Sequence, residues 1–250
     1  MTATLPPDAP LEDIAQLIHD PSPEILTAVA ADPRLTEDLA LALLNRRDVP
    51  REALERLHKH QSLAKSRKVQ LALVMHPHTP RHVSIPTIRH LYAFELMQVA
   101  LLPTVAADIK RAAEESLIAR LATISSGERF TLAKQSSGRV AAVLLLEQEE
   151  RILQAALANP QMTEAWIVKA LKSGTGTGLL APAVCRHPKW SHRNDVRAAL
   201  LANQFTPPGR LEQLASEVPR NMLKEVLRNA RLTPAAKAKL NAVLEKRLGK

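Results

Sequence analysis

Aromatic residues are scarce in this 250-residue chain, 2% of the total, and there are seven glycines against eighteen prolines. Sheet-rich folds draw on Val, Ile, Tyr and Phe and on frequent glycine turns. That shortage, beside abundant Ala and Leu, predicts an all-α chain. Cys185 is the single cysteine, which excludes an internal disulfide and any multi-cysteine zinc or iron–sulfur site. With only Arg186 and His187 beside it, Cys185 reads as a small packing residue. The longest strictly apolar run, residues 140–146, falls far short of the roughly 20 residues a membrane span needs. Residues 1–10, with three prolines, read as a flexible lead-in without the basic segment and apolar core of a signal peptide. The expectation is a cytoplasmic chain with no membrane part.

What the sequence does contain is a recurring phrase. It stands as VAADPRLTEDL at residues 29–39, ALANPQMTEAW at 156–166, LLANQFTPP at 200–208 and VLRNARLTP at 226–234. Weaker copies lie at 76–80, 102–104 and 187–191, and a degenerate one at 132–135. Each reads as a helix–turn–helix corner. An Ala/Leu helix runs to Asn, Asp or His, a proline stops it, and a threonine caps the next helix. The expected N-caps are Thr36, Thr163, Thr206 and Thr233, with Pro207 and Pro234 at the first helical position. Glu37 and Glu164 suit the positive end of the helix dipole, and Met162 can staple to Ile167. The spacing is near 26 residues, with one short step of 16 and one long step of 32. Such a period predicts stacked helical units that share one core, with small Ala residues in place of large aromatics.

This phrase, A-x-N/D-P-x-h-T before a Leu/Ala helix, resembles the leucine-rich repeat variant family and, more broadly, HEAT-like α-solenoids. The resemblance implies a curved superhelix of short helix–turn–helix repeats over about residues 22–248. A relative of that class carries a cysteine-bound iron–sulfur cluster, and with Cys185 alone that feature does not carry over. The serine–glycine steps at Ser125-Ser126-Gly127 and Ser136-Ser137-Gly138 bracket a short helix. They suggest helical repeats over 11–124 and again over 125–250, the second set ending in a basic segment. Longer helices are expected over 87–102 and 106–124, broken at Pro86 and Pro103.

No catalytic signature stands out. His76, His78 and His82 have a spacing that could gather imidazoles on a metal, yet no carboxylate lies close in sequence, and His76 fits the corner position that Asn or Asp holds elsewhere. The segment 173–178 has three glycines but lacks the Lys-Ser/Thr and the preceding strand of a phosphate loop. His187, Ser191 and Asp195 lack the strained turn and oxyanion hole of a hydrolase triad, and Ser191 reads better as an N-cap for a helix over 193–201. No cofactor is expected.

Charge is more informative. The net charge is +9, and residues 186–250 hold fourteen Lys/Arg against five Asp/Glu, so the whole excess lies there. Arg220, Lys224 and Arg228 fall at i, i+4 and i+8 on one helix face, and Arg193 and Arg197 repeat that spacing upstream. With Arg186, Lys189 and Trp190 they form the candidate binding residues. Besides a scaffold that pairs with itself or a larger complex, two functions follow. The first is a non-enzymatic helical scaffold for a protein or peptide partner. The second is nucleic-acid binding through the basic face by phosphate contacts. A DNA-repair-type enzyme built around Asp195 follows only from analogy of fold.

Overall fold

The computed structural model describes residues 11–174, 178–229 and 232–248. The lead-in expected at 1–10, the centre of the glycine-rich segment (Thr175, Gly176, Thr177), and Ala230 and Arg231 of the last corner lie outside the described residues. Among the described residues the chain forms seventeen α-helices, a 3₁₀ turn at Leu121–Thr123 and no strand, so the all-α class stands. The chain divides into two compact units between Ala122 and Thr123.

The first unit runs through α1 (Leu11–Leu17), α2 (Pro23–Ala31), α3 (Glu37–Leu44), α4 (Arg51–Lys59), α5 (Arg67–Met75), α6 (Arg81–Ile88), α7 (Ala93–Leu101) and α8 (Ala107–Arg120). Helices this short are marginal alone, and tertiary packing holds them. Successive helices pack together, most extensively α7 with α8, and so do helices two apart: α2 on α4, α3 on α5, α5 on α7, and α6 on α8. The buried side chains between them, among them Leu26, Leu43, Leu54, Leu57 and Leu73, form a continuous apolar core. Each such leucine contributes about 1.5–3 kcal/mol by leaving water. The second unit runs through α9 (Ser126–Gln135), α10 (Gly138–Leu144), α11 (Glu150–Leu157), α12 (Glu164–Lys172), α13 (Leu180–Arg186), α14 (Asn194–Leu201), α15 (Pro208–Glu217), α16 (Arg220–Asn229) and α17 (Pro234–Leu248). The same order governs it: α9 packs on α11, α10 on α12, α12 on α14, α14 on α16, and α15 on α17.

The corners explain their own sequence. At five of them a polar side chain accepts the backbone N–H two residues on: Asp32 from Arg34 at 2.9 Å, His76 from His78 at 3.2 Å, Asn159 from Gln161 at 2.7 Å, His187 from Lys189 at 3.2 Å and Asn203 from Phe205 at 2.9 Å. This is the Asx-type turn. In three of them the other end of the side chain donates backwards to a helix end. His76 Nε2 reaches the Arg46 carbonyl at 2.8 Å, Asn159 Nδ2 those of Ala133 at 2.8 Å and Ser136 at 3.0 Å, and Asn203 Nδ2 that of Leu171 at 2.7 Å. The last carbonyls of a helix have no partner of their own. At these three corners the residue supplies one acceptor and one donor, which Asn and neutral His both can; Asp32, which only accepts, pairs with Arg34 instead.

Arginines do related work at helix ends, where a cation also complements the dipole. Arg46 Nη1 donates to the carbonyls of Ile18 (2.6 Å) and Asp20 (2.9 Å). Arg120 donates to those of Leu91 (2.6 Å) and Arg89 (2.7 Å). Arg247 bridges the carbonyls of Ala215 (2.8 Å) and Val218 (2.9 Å).

Several local expectations need correction. Thr36 and Thr233 do cap, accepting from Leu39 and Ala236 at 3.4 and 3.3 Å. Thr163 holds the N-cap position of α12 without a side-chain cap bond. Thr206 is not a cap: its buried hydroxyl donates to the Leu200 carbonyl at 2.6 Å, and α15 starts two residues later, with Pro207 at the cap and Pro208 at the first helical position. Ser191 does not cap α14, whose N-cap is Arg193. Pro86 does not break a helix but sits on the exposed side of α6. The bond it cannot make would go to the carbonyl of exposed His82, where water can replace it.

Candidate interaction surfaces

The structure sorts the residues singled out in the sequence. Trp190 is only 3% exposed, and its indole N–H donates to the Leu157 carbonyl at 2.9 Å. Lys189 lies over its ring. This withdraws Trp190 from any binding surface and makes it a packing residue. Arg197 is withdrawn as well. Its guanidinium pairs with Glu217 at 2.6 Å and donates to the Ser191 carbonyl at 2.9 Å. Arg186 is exposed but faces Glu150 at 3.1 Å. Arg193 is exposed at the start of α14, and Arg220, Lys224 and Arg228 are exposed along α16. None of these four has an ion-pair partner among the described residues.

The chemical candidates do not assemble. Both ring nitrogens of His76 are engaged, and burial pushes its pKa below the ordinary histidine value. His82 turns toward Glu55 at 3.3 Å. Among the described residues, no group of three or more His, Cys, Asp and Glu could hold a metal ion. His187 spends Nδ1 on the Lys189 N–H, Asp195 is exposed, and no side-chain hydrogen bond joins either to Ser191. Cys185 is buried, which raises its thiol pKa.

Ion pairs tie the starts of neighbouring helices in a row. In the first unit, Lys68 pairs with Glu37 at 2.9 Å, Arg67 with Glu95 at 2.5 Å and Arg81 with Asp108 at 2.5 Å. They are surface pairs worth little each, but they fix how successive helices line up.

That alignment exposes a feature the sequence did not announce. Thr36, Ser66 and Tyr92 are the N-cap residues of α3, α5 and α7. Five residues after each cap stand Leu41, Leu71 and Met97, all half-buried; nine after the second and third stand Met75 and Leu101. Phe94, two after Tyr92, is 36% exposed, Leu101 38% and Tyr92 itself 67%. The Arg67 guanidinium lies over the Tyr92 ring. On the alternate helices α4, α6 and α8 the exposed positions are instead polar or charged, such as Glu52, Arg56, Lys59, His82, Arg89 and Arg111. In the first unit α7 thus turns an apolar patch of Tyr92, Phe94 and Leu101 outward, with Arg67 stacked on Tyr92. The half-buried Leu71 and Met75 of α5 stand at matching positions, Leu41 of α3 packs against the core, and α4, α6 and α8 turn out a charged face.

No protein-family profile, curated protein or solved structure matches this chain.

Proposed function

We propose that the chain is a non-catalytic helical-repeat scaffold of α-solenoid type, akin to the leucine-rich repeat variant and HEAT-like class, that binds a protein partner. The packing of many helices on the next but one, and the recurrence of one corner chemistry, support the repeat reading. The observation that carries the binding role is the strip on α3, α5 and α7. Its exposed part is on α7, where Tyr92, Phe94 and Leu101 stand at the surface, and the half-buried Leu71 of α5 and Leu41 of α3 hold equivalent positions. Exposed apolar side chains grouped this way mark an interaction face. Tyr and Arg are the residue types that dominate binding energy. The occupant that suits the strip is an amphipathic helix with Leu-, Met- or Phe-type anchors.

The test is photo-crosslinking. A benzophenone amino acid at residue 71 should capture a partner segment with an amphipathic pattern, and Met97→Asp should abolish that capture without unfolding the chain. Capture indifferent to Met97→Asp would defeat the strip.

A further inference from the structure

The second unit carries a different surface, independent of the strip. We propose that its basic end docks duplex nucleic acid by phosphate contacts, without reading bases.

Arg220, Lys224 and Arg228 occupy successive turns of α16 and are all exposed. At 1.5 Å per residue they form a line about 12 Å long, the axial length of three to four phosphates on one DNA strand. The opposite side of α16 is anchored by Leu223 and Val226, both buried, so the helix cannot roll the stripe inward. None of the three has an acidic partner among the described residues. Three other arginines of the unit are engaged: Arg197 with Glu217, Arg210 with the Cys185 carbonyl, and Arg247 with those of Ala215 and Val218. The neighbouring helix α17 packs on α16 and adds exposed Lys237 and Lys239.

The composition of the surface chooses between partners. Protein interfaces are depleted in Lys and centred on apolar or aromatic anchors. The exposed positions of α16, Arg220, Asn221, Lys224, Glu225 and Arg228, carry neither an aromatic nor a large aliphatic side chain, and Met222 and Leu227 are half-buried. Single-stranded nucleic acid is held by stacking bases on aromatic rings, and α16 and α17 contain no aromatic residue. A line of unpaired cations without anchors or stacking platforms fits the phosphate backbone of a duplex.

The experiment is fluorescence anisotropy of a labelled 20-base-pair duplex against the full chain over a range of salt. Log affinity should fall linearly with log salt. Changing Arg220, Lys224 and Arg228 together to Gln should weaken binding at low salt at least about tenfold. It should also reduce the slope by about 2.7, at 0.9 for each of three phosphates no longer neutralised. Changing Arg51, Arg56 and Lys59 on α4 to Gln removes the same charge from the other unit and should leave affinity and slope nearly unchanged. Circular dichroism melting checks each fold, and the single change Lys224→Glu serves if the triple variant does not fold. No duplex binding at low salt, or equal weakening by the α4 variant, would overturn the proposal. So would a Glu-rich peptide that binds the stripe as tightly as the duplex does. Failure here leaves the α3–α5–α7 strip untouched, since that is read by crosslinking at residue 71.

Discussion

Gly138 opens α10 with its Cα against the backbone carbonyl of Gln161, so close that a Cβ there would overlap the oxygen. The obstructing atom belongs to the backbone of the Asn159 corner and cannot swing aside as a flexible side chain would. Gly138→Ala should therefore destabilise the second unit by about 1–3 kcal/mol, the usual cost of forced overpacking. The corresponding change at Gly127, where a Cβ meets nothing within 4 Å, should be nearly neutral. Thermal melts of the two variants side by side provide the check. Equal melting temperatures would mean the corner gives way freely.

The same corner makes a prediction about chemistry rather than volume. Asn159 is 2% exposed, donates to the Ala133 and Ser136 carbonyls and accepts from the Gln161 N–H. Asn159→Ala strands two buried acceptors and one donor, a cost of about 2–4 kcal/mol. Asn159→Asp keeps the acceptor but sets a carboxylate against two carbonyl oxygens, and at neutral pH it should be worse than Ala. Asn159→His restores a donor and an acceptor and should be the mildest of the three. Urea denaturation gives the order, and a stable Asn159→Asp would show that this corner does not require a donor.

These residues also show how far the sequence could be read. The all-helical class followed from Ala, Leu and the lack of aromatics, and the corners from their Pro and Thr. The reason Asn and His interchange there was not legible. Their partners are backbone carbonyls 23–32 residues upstream, and a carbonyl leaves no trace in the identity of its residue. Local pattern misleads where a third element decides. Thr206 turns inward to a carbonyl, and Pro86 is tolerated because water reaches the carbonyl it leaves bare. For the surfaces, the α16 stripe was visible because i, i+4, i+8 spacing is a property of one helix. Arg197 looked equivalent to it, and the approach of Glu217 from the end of α15 and of the Ser191 carbonyl distinguishes them. The strip on α3, α5 and α7 went unseen, because an apolar residue five places after a cap looks like core until stacking shows which face is left over.

The fold also binds its stability to pH through His76. Its Nε2–H donates to the Arg46 carbonyl while Nδ1 accepts from the His78 N–H, so the corner requires the neutral ring. Burial is the main cause of its lowered pKa, helped by the nearby His78 and opposed by the Arg46 hydrogen bond and Asp48. With the folded pKa below the unfolded value of about 6.5, the unfolded chain binds the proton first as pH falls. The stabilising contribution is complete above pH 6.5, declines below it, and stops declining once pH passes the folded pKa. His58 and His187 are displaced in the same direction, burial again the main cause, and act in the same window. The buried carboxylate of Asp32 is lowered chiefly by its hydrogen bond to Arg34, so its contribution is lost only at more acid pH. Melting temperature should fall between pH 7 and pH 5. His76→Asn, which supplies the donor and acceptor without a titrating ring, should shrink that fall, with the remainder due to His58 and His187. A His76→Asn variant that loses as much between pH 7 and pH 5 as the unaltered chain would show that the His76 corner tolerates the proton.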